Sequence, residues 1–171
     1  DDMGRIYANQ TDNVAADALV AGSTTAEAFV GVITDPAAWA LWVSKSAQVI
    51  LSASNGNLPT HLFVSPDRWG DLLGLSDTSD RPLFPNIGPM NAYGDLAVTS
   101  DMGMAFGLRV VVDRNFAAGT TIIGDASGFE CYEQQKGAIS VDVPSTLSRT
   151  IAFRGYFSTL MVDSDKFVIA S

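Results

Sequence analysis

Residues 107–128 read GLRVVVDRNFAAGTTIIGDASG. Leu108, Val110, Val111 and Val112 predict one strand; Thr120, Thr121, Ile122 and Ile123 predict a second. β-Branched side chains suit a pleated, half-buried surface, and the Gly, Asp and Asn around them supply turns. Gly119 closes the loop between the two. No residues here have the spacing of a catalytic constellation. There is no phosphate-loop lysine and no G-x-G-x-x-G ahead of a helix. The stretch reads as a structural element.

Upstream, residues 5–21 predict a helix rich in Ala15, Ala16, Ala18 and Ala21, stopped by Gly22. Residues 23–34 fit two readings. Thr24 and Glu27 are spaced as a capping box, and Phe29, Val30, Val32 and Ile33 suit a strand. The clearest helix starts at Asp35, a capping residue, with Pro36 at the first helical position. Trp39, Trp42, Val43, Ala47, Ile50 and Leu51 then recur at three- and four-residue spacing, and Asn55-Gly56 ends the run. The two tryptophans are expected in the core, since that is where most aromatic faces at helical spacing go. A short strand at His61–Val64 follows. Ser65-Pro66-Asp67 then opens a helix with Trp69, Leu72 and Leu73 that stops at Gly74.

Residues 76–106 are rich in Pro, Gly, Asp and Asn and predict a long loop, a type of segment that is usually functional or interfacial. Met90, Tyr93, Met102, Met104 and Phe106 give it adaptable contact residues. Beyond the opening stretch, residues 129–133 and 139–143 predict two more strands with Gly137 in the turn between them, and Pro144 ends the run. Residues 150–162 alternate: Ile151, Phe153, Phe157 and Met161 point one way, and Arg154, Tyr156 and Ser158 the other. Asp163-Ser164-Asp165 makes a turn before a short apolar tail, Phe167, Val168 and Ile169. Helices come first and mostly antiparallel strands after, which is an α+β order.

The totals agree with one folded unit. The 171 residues are 47% hydrophobic and 17% charged, enough for one good core. The net charge is −9, with no basic stripe to neutralise phosphates, so a dedicated nucleic-acid binder is not expected. No apolar run approaches the roughly 20 residues of a membrane helix. The first residues are too polar for a signal peptide, and the missing initiator Met fits a processed product or a piece of a longer chain. Cys131 is the only cysteine, which excludes an intrachain disulfide and a cysteine zinc site; it is expected as a buried, inert thiol.

No catalytic, cofactor-binding or metal-ligating residues are predicted. His61 is the only histidine, so a Ser–His–Asp triad would have to use it, yet no G-x-S-x-G is present. Asp163 and Asp165 lack the further oxygen ligands of a calcium loop. Asp77, Asp80 and Asp101 are expected as solvated loop carboxylates.

From Pro59 onward the order of features resembles the major capsid proteins of tailed bacteriophages, the Hong Kong 97 fold. HLFVSPDRWGDLLG resembles the family's strand and Ser-Pro-x-x-Trp helix, and RPLFPNIG its segment before the long loop. The pair Gly107-Leu108-Arg109-Val110-Val111 and Gly119-Thr120-Thr121-Ile122-Ile123-Gly124-Asp125 is similar to its paired strand motif. AFRGYFSTLMVDSDKFVIA resembles its late strand and tail, and DNVAADALVAG the end of its long spine helix. The resemblance implies helices packed on a mostly antiparallel sheet, without a full N-terminal arm or E-loop. It divides the chain into 1–34 (end of the spine helix, P-domain part), 35–145 (axial domain) and 146–171 (return strand and tail, P-domain part). It implies a self-assembling subunit of hexamers and pentamers in a phage or prophage shell. Such a shell encloses DNA without sequence-specific binding, and needs no cofactor, membrane or small-molecule substrate. The protein would be made in the host cytoplasm and reside in the virion. Arg81, Phe84, Asp101 and Met104 are the candidate contacts around the capsomer axis. No Lys–Asn cross-link is expected from Lys45, Lys136 or Lys166, and a chain without arm and E-loop is expected to be a monomer or weak oligomer. The alternatives are an encapsulin-like nanocompartment subunit, which has the same fold, a small hydrolase using His61, and a tail or decoration protein.

Overall fold

The computed structural model describes residues 2–78, 81–83, 102–143 and 148–171. Helix α1 spans Asp2–Gly22, strand β1 Thr25–Glu27, α2 Pro36–Ala53, β2 His61–Val64 and α3 Pro66–Leu73. Strands β3 (Met102–Ala105), β4 (Leu108–Val112), β5 (Thr121–Gly124), β6 (Phe129–Val143), β7 (Ser148–Met161) and β8 (Phe167–Ala170) follow. Six of them form one sheet in the order β1-β8-β5-β2-β4-β3, and β6 and β7 form a separate hairpin. Most pairings are antiparallel; β1–β8 and β2–β4 are parallel.

The two strands of the opening stretch are present but do not pair with each other. β2 lies between them, parallel to β4 and antiparallel to β5. The ambiguous segment after α1 becomes the short edge strand β1, and residues beyond it leave the sheet. Residues 102–105, expected in the long loop, instead form β3, joined to β4 by a two-residue turn. Phe106 and Gly107 both have positive φ, 54° and 79°, as a hairpin turn whose twist matches its strands requires.

Period-two alternation gives the sheet two buried faces. Leu62, Val64, Val110, Ile123 and Val168 point to the side covered by α2 and α3, where Trp39, Trp42, Ile50, Leu72 and Leu75 meet them. Ile122 and Phe167 point to the side covered by α1 through Ala16 and Leu19. The tryptophans are core residues, as expected. Trp39 donates from Nε1 to the Ile33 carbonyl at 2.7 Å and Trp42 to that of Glu27 at 3.1 Å, so each indole is buried with its polar atom satisfied. Phe29 packs edge-on against Trp39 at 5.2 Å between centroids. Asp35 caps α2 by accepting from the Ala37 amide at 2.9 Å, and Pro36 opens the helix.

The largest departure from expectation is the hairpin. Residues 129–143 form one continuous strand, and Gly137 sits in a bulge within it, at φ +80°, rather than in a turn. A bulge leaves one residue unpaired and reverses which face the following side chains use. Before it, Cys131, Glu133 and Gln135 pair with Thr159, Phe157 and Gly155 on the face toward α1. After it, Ile139 and Val141 pair with Ala152 and Thr150, on the face away from α1.

Candidate functional site

Of the expected axis contacts, Arg81 and Met104 are described; Phe84 and Asp101 lie outside the described residues. Arg81 is exposed beyond α3, where its amide donates to Asp77 Oδ1 at 3.0 Å and its carbonyl accepts from the Asp77 amide at 2.9 Å. Met104 is 45% exposed on the edge strand β3, opposite Arg109.

His61 lies in a polar cluster. Its Nδ1 hydrogen-bonds Thr60 Oγ1 at 2.8 Å, and Thr60 donates to Asp125 Oδ1 at 3.4 Å. Ser127 donates to Asp125 Oδ2 at 2.6 Å, and Lys166 Nζ donates to Ser127 Oγ at 2.9 Å. A serine, lysine, histidine and aspartate therefore converge, but in the wrong relation for nucleophilic catalysis. A base must accept the serine proton; Lys166 donates to Ser127 instead and forms an ion pair with Asp125 at 3.4 Å. His61 points its bond at Thr60. Burial, and then the charge of Arg109, holds its pKa below the ordinary histidine value. Burial alone would raise the Asp125 carboxyl. The Ser127 and Lys166 bonds outweigh it and hold the group below the ordinary carboxylate range. The cluster fastens residues 163–166 to 125–128. Asp163 caps the turn of residues 164–166 by accepting from the Asp165 amide at 3.1 Å. Among the described residues no group of His, Cys, Asp or Glu is placed to hold a metal ion.

A crevice of about 270 Å³ lies under α1, lined mainly by Ala16, Leu19, Phe63, Phe116 and Phe129, with Asp12 and Asp113 at its edge. Asn115 donates from Nδ2 to Asp12 Oδ2 at 2.8 Å and from its amide to Asp113 Oδ1 at 2.8 Å. Burial, and then the neighbouring Asp113, raises the Asp12 carboxyl. These contacts dock α1 on the loop between β4 and β5. Cys131, expected buried, is exposed on β6, and partial desolvation raises its thiol.

The hairpin is the surface that sequence reasoning missed. Tyr132, Ile139, Val141, Tyr156 and Leu160 are all exposed, and the register puts them on the face away from α1. Arg154 and Lys136 flank the Tyr156 ring at 5.3 and 6.0 Å. The alternation of Tyr132, Gln134 and then Ile139, Val141 was in the sequence. Reading Gly137 as a turn hid its continuity.

The described residues thus show a core on both faces of the sheet and an exposed two-stranded ribbon. The sequence profile of a family described as phage capsid protein matches residues 1–168. The chain belongs to that family. Its fold is that of phage capsid proteins. A chain from Mycobacterium phage Che8 superimposes with a TM-score of 0.65 at 18% identity, covering 98% of this chain and 60% of that one. A chain from Gordonia phage Cozz gives 0.61 at 18% identity, covering 89% and 50%. The virus-like particle from Pyrococcus furiosus gives 0.62 at 14% identity, covering 98% and 65%. The chain therefore spans between half and two thirds of the length of those three chains. No curated protein sequence matches it. No helix among the described residues is long and apolar enough to cross a membrane.

Proposed function

We propose that this chain is a structural subunit of an icosahedral phage or prophage capsid. Copies assemble into hexamers and pentamers that enclose DNA without reading its sequence. The observation that supports this most is the family match, which runs unbroken through helix, sheet and hairpin alike. The acidic balance suits a wall that faces DNA without gripping it: the net charge is −9, and a strongly cationic surface would bind the genome tightly. In this reading residues 35–145 form the axial domain, and 1–34 with 146–171 supply the peripheral part. Arg81, Phe84, Asp101 and Met104 meet their counterparts around the capsomer axis. Synthesis takes place in the host cytoplasm, and the protein has no catalytic role.

A nanocompartment subunit is the second reading, favoured by the likeness to the virus-like particle from Pyrococcus furiosus. The two separate on content. Particles from the natural reading frame are treated with nuclease, opened, and assayed for protected nucleic acid and co-purified protein. A phage shell protects long double-stranded DNA. Particles that protect no DNA and carry a stoichiometric cargo protein support the second reading.

A further inference from the structure

A two-stranded hairpin standing in water is marginally stable, because its faces and both edges lack neighbours. β6 and β7 run for 15 and 14 residues. Among the described residues α1 meets their inner half, with Tyr7 against Gly155 and Met161 against Gly22. Beyond Gly155 the strand pairing continues outward as far as Val143 opposite Ser148. From Glu130 to Asp142, every residue of β6 except Gly137 is exposed.

The charge of the hairpin's outer half is opposite to the rest: its described residues, 136–143 and 148–154, hold three of the chain's 10 basic residues, Lys136, Arg149 and Arg154, and one of its 19 acidic ones, Asp142. Ile139, Val141 and Tyr156 on its outer face are 47, 57 and 52% exposed. A complementary surface exists on the same molecule. The side of α1 turned away from hairpin and sheet carries Ile6, Gln10, Val14 and Asp17, all exposed and spaced as one helical stripe. Ile6 and Val14 are 50 and 49% exposed and line a shallow groove.

We propose that the outer face of the hairpin docks on the outer stripe of α1 of a second copy of this chain. The inference rests on the shell reading above and names the surfaces that would serve it. Ile139 and Val141 meet Ile6 and Val14, and Arg154 and Lys136 face Asp17. A protein partner fits better than nucleic acid, because exposed aliphatic side chains dominate the face and cations are few. The contact joins two different patches, so each docked pair still offers one free hairpin and one free helix. Such a heterologous contact propagates into a ring when its rotation closes.

Sedimentation velocity over roughly two decades of concentration tests this, on the native chain and on Ile139→Asp and Ile6→Asp, each checked for native circular dichroism. The native chain gains mass with concentration, and each variant alone stays monomeric. An equimolar mixture of the two variants forms dimers and nothing larger, because one supplies an intact hairpin and the other an intact helix. Val141→Asp reads the same face should Ile139→Asp fail to fold. A native chain that stays monomeric, variants that associate as it does, or a mixture that stays monomeric overturns the inference. So does a monomeric native chain that binds a labelled DNA duplex through the hairpin. Electron micrographs separate the two levels. Shells formed equally by native chain and variants sink this interface and leave the capsid reading standing. Variant-sensitive association without any shell sustains the interface and removes the capsid reading.

Discussion

Gly124 is the seat of Phe167. A Cβ there would collide with the Phe167 ring and lie 2.9 Å from the Lys166 carbonyl. The glycine in the sequence Ile-Ile-Gly-Asp is thus required by close approach, with nothing catalytic about it. Gly119, at φ +85°, ties two elements together: its amide donates to Asp67 at 2.8 Å and its carbonyl accepts from Arg68 Nε at 3.3 Å. Gly124→Ala is expected to cost about 1–3 kcal/mol through overpacking. Gly4→Ala, in open space on α1, should be neutral or slightly stabilising. Urea melts of both variants check this, and equal costs would contradict the packing argument. Carboxylates give a pH test. Asp125 and Asp67 have folded pKa values below their unfolded ones. Their contribution is complete above the unfolded value and lost as pH falls through the folded one. Asp12 is raised, so its contribution is complete below the unfolded value and lost as pH rises through the folded one. Asp125→Asn should therefore flatten the acid limb of a stability–pH curve, and Asp12→Asn the decline on the higher-pH side of the carboxylate range. Unchanged curves would remove these assignments.

At the scale of elements, local signals carried most of the reading. Asp35-Pro36 and Ser65-Pro66 mark helix starts by chemistry confined to a few residues, and both helices begin there. Strand positions followed from β-branched runs. Pairing partners did not, because they depend on contacts far apart in sequence. β4 and β5 are near neighbours along the chain, yet β2 lies between them. Gly137 shows the same limit: a lone glycine within an alternating run fits a turn or a bulge equally well, and only the partner strand decides. The site reading divided in the same way. His61 bonds its neighbour Thr60, which bonds Asp125 65 positions away, a link no local motif gives, and the hairpin face appears only once the bulge is placed. Gly137→Val should disfavour the positive φ and shift β6 by one residue beyond it, turning Ile139 and Val141 toward the opposite face. Backbone amide pairing across 138–142 and 149–153, read by nuclear Overhauser contacts, checks this. Retention of the Ile139–Ala152 pairing would contradict it.

For the whole molecule, the sheet and its two cores form a stiff body, and the hairpin is the part that reaches outward. These features suit the proposed shell: a packed sheet, exposed apolar side chains on the hairpin and, on an acidic chain, a hairpin whose outer half is basic. A single small patch of this kind gives transient association. Closed particles require several such contacts at once, each weak alone and strong together. The most direct measurement is the mass and shape distribution of the protein from its natural reading frame, by light scattering with electron microscopy of the same sample. The account predicts closed particles of uniform diameter in equilibrium with small oligomers. Monomers alone at every concentration, with no particle under any assembly condition, would contradict it.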